Sequence, residues 1–232
     1  MAGNTAFESN SSQKQEFHFW ACSYPSIKTA VFAVRQPGGA LKQPLGMRIY
    51  DPDGSLINEA EFDFPSEQAG ILELEGLLEG CKLESGFKHA HLELHVPDGV
   101  RPFVRMHTRS GAFIQGEPAL VNSRKGAFVP VMFSQNHSGF LVLVNHGRCD
   151  MSVRCRLFCG RRNPELTQMV PAMGARLVSI PAHFSEFSMR EGAAPAQGYF
   201  RITAVGDGDC GVQLIESVVV RENEEGIFGS IS

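Results

Sequence analysis

His89, His91, Glu93 and His95 stand at alternate positions of one segment, and His107 follows beyond a turn. Alternate residues of a β-strand point to one side, so a His-x-His spacing can bring two imidazoles to one ion. A zinc site needs three or four such donors, and a neighbouring strand can supply the third. His89, His91 and His107 are therefore the candidate metal ligands. The competing reading is an exposed polar face on which Glu93 pairs with Arg105 and water satisfies the rings. The second half of the chain favours it, because it carries Arg201 and Thr203 where His89 and His91 stand. No cofactor is expected.

Other motifs lose their chemistry in context. Gly206-Asp-Gly-Asp-Cys-Gly211 has the glycine spacing of a dinucleotide loop but runs into a strand pattern, so no helix N-terminus is there to hold a pyrophosphate. Asp51-Pro-Asp-Gly54 begins like a calcium loop yet lacks the closing Glu, and turn geometry accounts for it. Cys155 and Cys159 are too far apart for a redox pair, and Cys155 has core parity. Arg148, Arg154, Arg156, Arg161 and Arg162 crowd one hairpin, with Arg101, Arg105 and Arg109 at the matching end of the first half. Arg154 and Arg156 share an outer face, which suits an acidic or anionic partner surface. No nucleophile elbow, phosphate loop or paired catalytic carboxylates are found, which counts against an enzyme.

The elements that must position these residues are strands, since apolar residues alternate or run in short blocks between Gly, Pro and Asp clusters. They also occur twice, at an offset of roughly 110 residues. Phe17-His-Phe-Trp-Ala-Cys-Ser23 is answered by Phe128-Val-Pro-Val-Met-Phe-Ser134, Thr29–Val34 by Gly139–Val144, Met47–Tyr50 by Cys155–Phe158, and Phe64-Pro65 by Val170-Pro171. The expected fold is all-β, two tandem, internally duplicated β-sandwich modules at 17–121 and 128–220, behind a disordered polar leader at 1–16. A register centred on Gly99 sets Leu94 opposite Val104 and Leu92 opposite Met106 in a closing hairpin. It leaves His91, Glu93, Arg105 and His107 facing outward. Single helical turns are expected near Glu75–Glu79 and Ala182–Glu186.

With 232 residues, each half can bury a core without disulfide or metal support, and six cysteines in unrepeated positions read as free thiols. A formal charge of −4 supplies no global field for nucleic acid. No apolar run reaches the ~18 residues of a membrane span and no secretory pattern opens the chain, so the expected location is the cytoplasm.

Pro102-Phe-Val-Arg-Met-His-Thr-Arg109, together with Trp20-Ala21, resembles the closing strand and start of the sensory rhodopsin transducer family of small bacterial β-sandwich proteins. The order of strand, Asp-Gly turn, Pro-led strand and long hairpin is similar over most of 17–115. The second half departs from it, with Leu214-Ile-Glu-Ser217 in place of His-Thr-Arg and Val131 in place of Trp20. The resemblance implies a binding or signalling partner without catalysis, working as an assembly of modules. The leading expectation is thus a non-catalytic interaction or signalling accessory protein, bound to a protein partner or to itself, with Trp20, Tyr24, Arg105, His107, Arg109, Arg154 and Arg156 at its contact surface. The alternative is a carbohydrate- or small-ligand-binding sandwich, for which Trp20, Tyr24 and Phe113 offer stacking surface if exposed. The third is a metal-dependent activity on the His-rich strand.

Overall fold

The structure, a computed structural model, describes residues 14–23, 27–36, 44–63, 69–84, 87–107, 112–115, 117–134, 137–187, 196–206, 208–221 and 224–231. The all-β expectation holds. The first half contributes β1 (Gln15–Ser23), β2 (Lys28–Arg35), β3 (Leu45–Tyr50), β4 (Leu56–Phe62), β5 (Ala69–Glu73), β6 (Leu83–Glu84), β7 (Phe87–Val96), β8 (Val100–His107) and β9 (Ala112–Gln115). The second contributes β10 (Ala119–Val121), β11 (Ala127–Phe133), β12 (His137–Asn145), β13 (Met151–Phe158), β14 (Glu165–Val170), β15 (Ala175–Ser179), β16 (Ala196–Val205), β17 (Cys210–Arg221) and β18 (Glu224–Ile231). The helical pieces are short: Glu75–Leu78, Ile180–His183 and Ser185–Phe187.

Among the described residues four antiparallel sheets result, and their strand orders recur. In the first half they are β1-β7-β3-β4 and β5-β2-β8-β9; in the second they are β11-β16-β13-β14 and β15-β12-β17-β18, with β10 also on β17. The β3–β4 hairpin falls at the Asp51–Gly54 turn that the sequence predicts, and the β13–β14 hairpin turns over Gly160–Pro164. The closing hairpin is a correction. β7 pairs with β1 and β3, whereas β8 pairs with β2 and β9, so the Pro97–Gly99 turn carries the chain from one sheet to the facing one. The expected core is unaffected: Leu92, Leu94, Val104 and Met106 are all buried, but they meet across the sandwich instead of along a hairpin.

Two boundaries also move. β1 starts at Gln15, so Glu16 belongs to a strand and not to the leader. β10 hydrogen-bonds to β17, and Val121 lies in the second core, so the second half begins before Ala119 and not after Val121.

The cores fix how the sheets stack. One comprises Phe19, Met47, Leu94, Val104 and other first-half residues together with Val142, Val144, Ala175, Leu177 and Ile215 of the second half. The other is wholly second-half, around Leu141, Leu143, Val153, Phe200 and Leu214. Since Val142 and Leu143 are adjacent on β12 and point oppositely, the β15-β12-β17 sheet is buried on both faces. One face closes its own sandwich; the other covers the β1-β7-β3-β4 sheet of the first. The molecule is a four-layer stack, with the sheets β5-β2-β8-β9 and β11-β16-β13-β14 outermost.

Candidate functional site

The face of β1-β7-β3 that bears the histidine row lies against the second half, so alternation delivers those side chains into a seam. Pairing sets them in cross-strand rows: Trp20, His91 and Tyr50 in one, His18, Glu93 and Arg48 in the next, with Cys22 opposite His89 and Glu16 opposite His95. Trp20, His89, His91 and Glu93 are each under 5% exposed. Outward parity was read correctly, but outward does not mean solvent here, because a second sheet covers the face.

His89, His91 and His18 each have hydrogen-bond partners, whereas the buried Nε2 of His146 has none among the described residues. Trp20 Nε1 donates to His89 Nδ1 at 3.1 Å, which leaves His89 Nε2 to donate to Glu84 at 2.9 Å. His91 Nδ1 donates to the carbonyl of Met173 at 2.7 Å, and its Nε2 lies 2.8 Å from Nδ1 of His18. His18 Nε2 meets the Glu16 carboxylate at 2.8 Å, and its ring stacks on His146 with centroids 3.9 Å apart. Three close contacts thus form a relay from Glu16 through two rings to Met173, and while both rings are neutral their two hydrogens make two of the three contacts into hydrogen bonds.

Burial sets the charges of this cluster. Desolvation, then the neighbouring His18, pushes His91 down to about 3, and the same causes with His91 added push His146 down to about 2. Both rings are neutral at physiological pH. His18 is also lowered by burial, with Glu16 and Glu93 opposing. Burial alone would raise Glu93, but the Tyr50 hydroxyl at 2.6 Å, His95 at 2.7 Å and Arg48 at 3.5 Å outweigh it and hold it low. Burial and that same hydrogen bond raise Tyr50 to about 12.

Two turns clamp the seam. The Asp51–Gly54 turn meets Pro171–Gly174: Ala175 N donates to Pro52 O at 3.1 Å, and Arg176 reaches Pro52 O at 2.6 Å and Asp53 at 2.9 Å. Gly54, at φ +84°, allows this approach, since a Cβ there would sit 1.9 Å from the Ala172 carbonyl. Met173 takes φ 55°, held by its N–H to Gly147 and by His91 on its carbonyl.

The predicted zinc triad is not assembled. His107 projects from β8 on the opposite outer face, beside Lys28, while His89 and His91 lie in the seam. Among the described residues, the donors that converge are instead Glu16, Glu93 and His95, within 4.8 Å of one another. Glu93 in that group already serves Tyr50 and Arg48. Glu93 does not pair with Arg105 either, because β7 and β8 belong to different sheets. Beside the relay opens a cleft of about 530 Å³, lined by Glu16, His18, Glu117, His146 and Asp209 among others.

The remaining predicted contact residues scatter. Trp20 is in the seam; Arg105 and His107 lie half-buried on the outer face of β8; Arg154 and Arg156 are exposed on β13. Tyr24, Arg109 and the side chain of Phe113 lie outside the described residues. The sequence reading missed Glu16, His18, Tyr50, His146 and Arg176. His18 alone carried a signal, at the parity of Trp20. The six cysteines are free, with Cys149 exposed. No described helix is long and apolar enough to cross a membrane. Comparison with protein-family models and with curated proteins finds no match for this chain.

The aromatic surface is elsewhere. On the outer face of β11-β16-β13, Phe158 stacks on Tyr199 with centroids 4.9 Å apart, Phe128 lies 5.8 Å from Tyr199, and the Arg156 guanidinium sits 5.2 Å over Phe158. Phe128 is 67% and Tyr199 42% exposed.

Proposed function

We propose that this chain is a non-catalytic interaction or signalling accessory protein, a duplicated pair of β-sandwiches that presents the arginine and aromatic face of its last sheet to a protein partner. The observation that carries it is the contrast between two matching faces. In the first sandwich the side chains equipped for chemistry are spent on one another and on the Met173 carbonyl, holding two sheets together. In the second, the face in the same place is open and rich in Phe, Tyr, Met and Arg, the side chains enriched at interface centres. The resemblance to sensory rhodopsin transducers, carried by β8, and a cytoplasmic location belong to the same reading. A photo-crosslinking phenylalanine placed at Tyr199 should yield a defined protein adduct in cells, and one at the exposed Glu61 should not. Equal labelling at both sites, or none at 199, would contradict the reading.

The cleft favours a second reading, a small polar ligand or carbohydrate held against Glu16, His18 and His146. Trp20 supplies no stacking surface for it, being buried. The Glu16, Glu93 and His95 group supports a third, metal-dependent reading. Zinc titration followed by thermal unfolding separates these: the interaction reading predicts no stoichiometric uptake.

A further inference from the structure

We propose that the open face of β11-β16-β13-β14 docks on the outer face of β5-β2-β8-β9 of a second copy of this chain, repeating between chains the contact that joins the two sandwiches within one. The inference rests on reading the open face as an interaction surface, and it names the partner.

Hydrogen-bond register supplies the correspondence. When Met47 is matched to Cys155, the pairings of the two sheets coincide if His91 matches Tyr199 and Glu93 matches Arg201. The row Trp20, His91, Tyr50 then becomes Pro130, Tyr199, Phe158. The row His18, Glu93, Arg48, Glu59 becomes Phe128, Arg201, Arg156, Glu165. The arginine and the glutamate at the far end are the same in both, and an aromatic stands for Tyr50. The first version is covered by a sheet; the second, at equivalent positions, is covered by no sheet among the described residues.

The receiving surface is matched in the same way. Within the chain the docked sheet offers the row Leu177, Val142, Gln213. At the corresponding positions the first sandwich offers Ile71, Phe32, Phe103 on its outer face. Ile71 is 61% exposed, and the Phe32 and Phe103 rings lie 5.7 Å apart. This row is at least as apolar as the one already used. Its surroundings are close to charge balance, with Lys28 beside Glu75 and Arg101 beside Glu117, and with Arg105 and Glu73 flanking Ala30. Arg156 and Arg201 therefore do not meet a uniformly basic surface.

The two faces differ, so the contact is heterologous: every added chain buries one face of each kind and exposes one of each again. Association should continue past two chains.

Sedimentation velocity over rising concentration tests this with Tyr199→Asp and Ile71→Asp, both at exposed positions, each checked for unchanged thermal unfolding. Phe128→Asp replaces the first if it unfolds. Wild type should show species beyond a dimer of the 25.4 kDa chain, and each variant alone should weaken association at least about tenfold. An equimolar mixture of the two variants should form a one-to-one pair and stop there, because it retains one intact junction. A wild-type monomer throughout, or association that Ile71→Asp leaves unchanged, would overturn the proposal. If a Tyr199 adduct to a different protein accompanies that result, the interaction function survives without self-assembly; absence of any adduct removes both.

Discussion

At the residue scale, Leu94 and Glu93 separate what alternation reveals from what it hides. Period-two patterning assigned Leu92, Leu94, Val104 and Met106 to the core and the histidines to the other side, and both assignments hold. It carries no information about what lies against that other side. Exposed-face reasoning expects Glu93→Ala to cost under about 1 kcal/mol, as for a surface charge. The buried position changes this: removing the carboxylate strands the Tyr50 hydroxyl and leaves Arg48 and His95 without their shared partner. The expected cost rises to about 1–3 kcal/mol, against about 2–5 for the cavity left by Leu94→Ala. Urea unfolding measures both, and a Glu93→Ala midpoint equal to wild type would place the side chain in solvent.

The depressed imidazoles make a second prediction. The unfolded chain protonates His91 and His146 near their ordinary 6.5, but the folded chain resists until about 3 and about 2. The unfolded state therefore binds more protons between these limits. Their contribution to stability is fully present above about pH 6.5 and is lost as pH falls below it, by up to about 1.4 kcal/mol per histidine per pH unit. Urea midpoints between neutral pH and about pH 5 should fall more steeply for wild type than for the double variant His91→Gln, His146→Gln. Equal slopes would contradict the burial of these rings.

At the element scale, the turns decided what the strands alone could not. Asp51–Gly54 was legible as a hairpin turn, since Asp, Pro and Gly each meet a requirement of that geometry. Its second role, clamping the Pro171–Gly174 turn, leaves no trace in a local pattern. The same limit explains the misread closing hairpin, because alternation looks alike whether a turn pairs two strands or passes the chain to the facing sheet. It also explains why matching Phe17 to Phe128 fails: Phe17 points into its sandwich and Phe128 out of its own. The sequence match had slipped by one there and by four on β7, where hydrogen-bond register sets Tyr199, not Thr203, against His91 and Arg201 against Glu93. Gly54→Ala tests the clamp against Gly160→Ala. Both have positive φ, at +84° and +63°, but a Cβ at 160 meets nothing within 4 Å. Gly160→Ala should cost the conformational penalty alone, about 1–2 kcal/mol, and Gly54→Ala distinctly more. Equal losses would mean the turns do not touch.

At the scale of the whole molecule, the all-β class was legible in the sequence, but the way the sheets stack was not. The difference matters for function. Side by side, the sandwiches would have left the histidine row open to an ion. Stacked face to face, they turn it into structural glue and move the open surface to Phe128, Tyr199 and Phe158. That surface escaped the sequence reading because its aromatics come from three strands, each contributing one isolated residue.

The register-equivalent pair His91 and Tyr199 tests this arrangement most directly, because diethyl pyrocarbonate acylates both imidazole and phenol. Peptide mass mapping of the dilute, folded chain should find Tyr199 and the exposed His183 modified, and His91 and His89 unmodified until the chain is unfolded. Acylation of His91 at the rate of His183 would show that the row faces solvent and that the two sandwiches do not stack across it.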